Sequence, residues 1–167
     1  MHASHPTQNV IVSVIHIGRR FRLGHDDEVT KKPSGYVPNE LLSRLVGFRL
    51  YSVQFVMGYV QLRFDGPTED MPVLNCEVKP AVETSAGMIV PGAPGYADTL
   101  VALIPDEVVR TTEATGSGLR IEFPSGTVVL HPKSNELVGP EIALLGGFAD
   151  GQWMCWRPGE ESFEHLG

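Results

Sequence analysis

Trp153 and Trp156 are the two tryptophans of the chain, with Cys155 and Arg157 beside them and Glu160 and Glu161 close behind. Three residues apart on a strand, two side chains point to opposite faces. One tryptophan therefore packs inward and the other reaches solvent. Exposed tryptophan next to arginine and glutamate is the composition of a binding hot spot. Trp156, Arg157, Glu160 and Glu161 are accordingly the candidate partner-binding residues. The favoured reading of Trp156 itself is that the C-terminal tail covers it through Phe163.

The remaining reactive side chains do not converge. His2 and His5 stand three apart, while His16, His25 and His131 are isolated, as are Cys76 and Cys155. Metal binding needs clustered ligands at set spacings, so no metal site is expected. No Gly-x-Ser-x-Gly turn is present, and Ser117 and Ser125 sit in glycine-containing turns whose chemistry explains them. Asp26-Asp27 and Glu160-Glu161 are adjacent acids in polar loops, which water solvates. A Gly-x-x-x-x-Gly-Lys phosphate loop is absent, and Gly92-Ala93-Pro94-Gly95 reads as a loop leading into a helix that Asp98 caps. No catalytic residue and no cofactor are expected.

Composition bounds the partner. The 167 residues carry a formal net charge of -7, a field that repels polyphosphate and suits a basic protein partner. Arg19-Arg20-Phe21-Arg22 is the best basic patch, and Asp26-Asp27-Glu28 follows it. No run reaches the ~20 apolar residues of a membrane helix. No signal peptide is read before Val10 to Ile17, because Gly18-Arg19-Arg20 stands where a cleavage site belongs. Two lone cysteines in apolar runs fit buried thiols in a reducing compartment, so a cytoplasmic location is expected, with a disulfide between them left open.

The elements that position these residues follow from periodicity. Leu119, Ile121 and Phe123 alternate with Arg120 and Glu122, and after Pro124-Ser125-Gly126 a second run, Thr127 to Leu130, completes a β-hairpin. Tyr59 to Asp65 has the same shape. Leu41, Leu42, Leu45 and Val46 fall on one stripe of a helix of about two turns, capped by Asn39 and stopped by Gly47. Phe48 and Leu50 share one strand phase and Tyr51, Val53 and Phe55 the other, which predicts a bulge near Leu50. Further strands are expected over Val73 to Val78, Glu107 to Glu113, Glu141 to Leu145 and Gln152 to Arg157.

Leu42, Leu45 and Val46 recur as Leu100, Leu103 and Ile104, a step of 58, and Leu62 and Phe64 recur as Ile121 and Phe123, a step of 59. This predicts an internal repeat of short helix and hairpin, with units at about 38–90 and 96–157. The expected fold is α+β, mainly antiparallel β, with two diverged units packed into one domain over 37–167. The alternative is an all-β sandwich with both helices reduced to turns. Residues 1–36 read either as an extension with one added strand at Val10 to Ile17, or as a poorly ordered extension.

The order Leu45-x-Gly47, Leu62-x-Phe64, Leu119-x-Ile121-x-Phe123 with Gly126-Thr127, and Gly151-Gln152-Trp153 with Pro158-Gly159-Glu160 resembles a family of small actinobacterial domains of unknown function. The resemblance spans about residues 38–163. Where that family carries a Tyr-Glu-Ala-Trp-like motif, this chain reads Leu137-Val138-Gly139-Pro140-Glu141 and lacks the aromatic pair. The resemblance implies no known chemistry, and at fold level alone it is similar to toxin-neutralising immunity proteins. The expected function is a non-catalytic cytoplasmic protein-binding module, immunity-like in build. The other reading is a small-molecule-binding domain or minor enzyme with a pocket between the two units, which a deep apolar pocket holding His131 and a carboxylate would favour.

Overall fold

Alternating apolar residues build two five-stranded antiparallel sheets, seen in a computed structural model that describes residues 35–167. The expected strand at Val10 to Ile17 and the basic run at Arg19 lie outside the described residues. The strands are β1 (Arg49–Val56), β2 (Tyr59–Asp65), β3 (Val73–Cys76), β4 (Ala81–Thr84), β5 (Gly87–Ile89), β6 (Arg110–Ala114), β7 (Gly118–Phe123), β8 (Gly126–Leu130), β9 (Ala143–Gly146) and β10 (Met154–Trp156). One sheet has the order β1-β2-β3-β9-β10 and the other β5-β4-β8-β7-β6. Helix α1 (Tyr96–Val101) and single 3-10 segments at Leu42–Leu45, Ser134–Glu136 and Glu161–Leu166 complete the described elements. The fold is thus α+β, dominated by antiparallel strands.

Chain order and sheet order diverge at two places. β4 and β5 follow β3 in sequence, yet they extend the sheet of β8. β9 and β10 follow β8, yet they extend the sheet of β3. The two sheets also meet where the Phe48–Leu50 backbone pairs with residues 106–108. Val108 N–H donates to the Phe48 carbonyl at 2.8 Å, Leu50 N–H donates to the Asp106 carbonyl at 3.0 Å, and Arg49 bridges Glu107.

Period-2 patterning decides which face is dry. Val60, Leu62 and Phe64 of β2 and Leu119, Ile121 and Phe123 of β7 all enter one core, with Leu42, Leu45 and Leu100 from the helical segments and Leu103 from the turn after α1. The bulge falls between Leu50 and Ser52, as the phase change predicts. Past it, Tyr51 and Phe55 stand exposed while Leu50 stays buried.

Several local expectations are corrected. The first helix is one 3-10 turn of four residues, Leu42–Leu45, rather than two α turns, and Val46 is already extended at φ -60 and ψ 128. Asn39 does not cap it. Its backbone is left-handed at φ 66, and its side chain donates to the Thr111 carbonyl at 3.2 Å. Asp98 does not cap α1, whose N-cap is Gly95. The compact unit begins at Gly35, so Tyr36 belongs to the body and not to the extension.

Candidate functional site

β6 breaks the pattern of a dry inner face. Its two buried side chains are Thr111 and Glu113. Glu113, 6% exposed, accepts four hydrogen bonds. Oε1 receives the Tyr36 hydroxyl, the Trp156 indole N–H at 2.7 Å and the Ser162 hydroxyl at 3.3 Å, and Oε2 receives the Asn39 N–H at 2.9 Å. All four donors are neutral. A buried carboxylate is costly unless hydrogen-bonded, and this one is compensated by donors instead of a cation. Burial first, and the bond to Glu113 second, push the Tyr36 phenol well above its ordinary range.

The same cluster settles the tryptophans. Trp156 is 0% exposed and Phe163 is buried with it, so the tail covers Trp156. Burial of Trp156 under the tail agrees with the favoured reading, and its candidacy as an exposed partner-binding residue is corrected: β10 aims this ring inward, and Glu113 holds its N–H. Trp153, on the opposite face, is the exposed one at 63%. Arg157 pairs with Glu141 at 3.3 Å, Glu160 is exposed, and Glu161 opens the last 3-10 segment with φ 47. The four residues thus split between core and rim.

Both cysteines are buried and free. The register places Cys76, Ala143 and Trp156 in one cross-strand row, and Cys155 belongs to the neighbouring row that faces the other way. A disulfide would need the chain to cross a strand. Burial, then the Glu141 charge, push the Cys155 thiol up to about 11, opposed by Arg157. Among the described residues no group of three or more His, Cys, Asp or Glu is placed to hold a metal ion. No helix there is long and apolar enough to cross a membrane.

Two concavities stand out among the described residues. The first, about 490 Å³, lies beside Glu113 and is lined by Tyr36, Glu40, Arg44, Asp150 and Trp153 among others. Arg44 is held there by Asp150 at 2.8 Å and Asp70 at 3.8 Å, with its guanidinium 4.0 Å from the Phe148 ring centre. The second is a groove of about 840 Å³ at the chain crossings between the sheets. Met57 of the β1–β2 turn, Met88 of β5, Val90 and Val138 line it. All four are exposed, Met57 completely and Val138 at 85%. His131, Lys79, Lys133, Glu77 and Glu136 also border it. Glu136 accepts the Lys133 N–H at 2.8 Å, and burial, then the charge of Glu141, hold the Glu77 carboxyl above its ordinary range.

Sequence reasoning missed the Glu113 cluster and the methionine lining of the groove, although a pocket holding His131 and a carboxylate is its second reading. Glu113 stands in sequence as an ordinary strand end, and its one signal is an acid in the inward phase of Thr111. The β4–β5 hairpin, which carries Met88, is made of four- and three-residue strands too short for periodicity to register. Compared with known proteins, the chain matches no family model, no curated protein and no solved structure.

Proposed function

We propose that this protein is a non-catalytic protein-binding module, and that the groove between the sheets takes an apolar segment of its partner. The observation that carries this reading is the convergence of Met57, Met88, Val90 and Val138, all exposed, on one groove. Contiguous exposed apolar surface marks interaction sites, and methionine adapts its shape to varied apolar partners. The partner is basic, in keeping with the net charge of -7. Immunity-like action in a bacterial cytoplasm, and kinship with the small actinobacterial domains, belong to the same proposal. A photo-crosslinker at position 88 tests it. One discrete partner should be captured, and Met57→Lys with Val138→Lys should weaken that complex by about tenfold or more without moving the melting temperature. Failure to capture any partner, or capture indifferent to the two lysines, sinks the reading.

A second reading, a small-molecule pocket between the two halves, is favoured by His131, Glu77 and Glu136 bordering the same groove. Its volume lies within the range of ligand sites, about 300–1,000 Å³.

The fold is further proposed to descend from one duplicated unit of short helix and three-strand meander. β1-β2-β3 and β6-β7-β8 are each consecutive, and each receives its last two strands from the other half. The segment at Leu42–Leu45 packs on β6, and α1 packs on β1. Leu42 and Leu100 are equally buried, and the Arg49–Glu107 bridge joins residues 58 apart, the step of the helical match.

A further inference from the structure

We infer that the cavity beside Glu113 binds an organic cation, an alkylammonium or guanidinium head. The cavity is separate from the methionine-lined groove, and the inference does not depend on it. Two aromatic side chains, Tyr36 and Trp153, line it together with three carboxylates, Glu40, Glu113 and Asp150. The one cation among its described lining residues, Arg44, is spent on Asp150, Asp70 and the Phe148 ring. Glu40 and Glu113 have no ion-pair partner among the described residues. The wall is therefore left with uncompensated negative charge beside aromatic faces.

Each part has a reason to favour a cation. The four bonds to Glu113 come from neutral groups, so its field is not cancelled by an opposite charge, and burial weakens solvent screening. Trp153 keeps 63% of its surface open, although apolar surface of that size is normally covered. A cation over the indole face gains from the ring quadrupole, more so when desolvated. The volume of about 490 Å³ admits a head group with a short stem. Tyr36 and the Asn39 N–H hold the carboxylate in place from the segment that precedes Leu42.

The head could arrive on a free metabolite or on a side chain of a protein, and the experiment separates these. The full chain is titrated calorimetrically at low salt with N-acetyl-arginine amide, with its neutral isostere N-acetyl-citrulline amide, and with a capped glycine peptide carrying one central arginine. The arginine amide should bind saturably, and the citrulline amide about tenfold more weakly or worse. Trp153→Ala should weaken the arginine amide about fivefold or more, with Trp153→Phe restoring part of it. Glu113→Gln, assayed below its melting temperature, should weaken it as well. Tighter binding of the peptide than of the amide assigns the head to a protein side chain, and equal binding assigns it to a small molecule. No saturable binding of either cationic probe overturns the inference. So does equal affinity for arginine and citrulline amides, or an affinity that neither Trp153→Ala nor Glu113→Gln changes.

Discussion

Glu113 is an acceptor-only group surrounded by donors, and that asymmetry sets what its replacement does. In Glu113→Gln one oxygen becomes an NH2 group that faces either the Asn39 N–H or the Tyr36, Trp156 and Ser162 donors. At least one buried donor then loses its acceptor, at a cost of about 1–3 kcal/mol. Urea denaturation should show that loss, and a variant as stable as the parent would mean the four bonds contribute little. The buried thiols and phenols give a second, pH-dependent prediction. Burial raises the Cys155 thiol from its ordinary 9.0 to about 11, and Cys76, Tyr36 and Tyr96 move in the same direction. The folded chain thus keeps protons that the unfolded chain releases. The Cys155 contribution is fully present below pH 9.0 and is lost as pH rises toward about 11. The denaturation midpoint should fall between about pH 8 and about pH 10.5, and by less in Cys155→Ser. A midpoint flat across that interval would contradict it.

Among the elements, the β6–β7 turn carries the tightest backbone requirement. Gly118 has φ +67, and a methyl group there would stand 2.0 Å from the Leu130 carbonyl oxygen on β8. Gly116, in the same turn, has φ +79 but open space around it. Gly116→Ala should cost about 1 kcal/mol, the penalty of a left-handed L residue alone. Gly118→Ala should cost about 2 kcal/mol or more, because β7 and β8 must also separate. Equal costs in thermal denaturation would mean that the strands give way freely. The hairpin around this turn was legible in advance because Leu119, Ile121 and Phe123 keep strict period 2 against one face. β4 was not, since Ala81–Thr84 buries only Val82 fully and shows no repeat of that face. Its place is set by pairing with β8, a contact across 48 positions between Ala81 and Val129 whose ends are named by register and not by local pattern.

For the molecule as a whole, the exchange of β4–β5 and β9–β10 makes each half incomplete. A fragment of residues 35–92 carries three strands of one sheet and two of the other, and a fragment of 93–167 carries the complement. Neither can close the core that Leu62, Ile121 and Leu145 share. Each fragment alone should therefore lack cooperative unfolding, and an equimolar mixture should recover the parent circular dichroism and a melting transition. A fragment that folds alone would show that the halves are independent and that the interlock is incidental.

Local chemistry by itself determined the longer strands, the bulge at Leu50, the hairpin of residues 118–130 and the burial of both leucine pairs, because each depends on neighbours a few residues away. Tertiary structure alone decided that Trp156 turns inward onto Glu113, that Trp153 stays outside, and that four apolar side chains meet in one groove. Those outcomes rest on contacts between residues far apart in the chain, such as Tyr36, Glu113 and Trp156, and no periodicity within a segment encodes which distant segment it will meet.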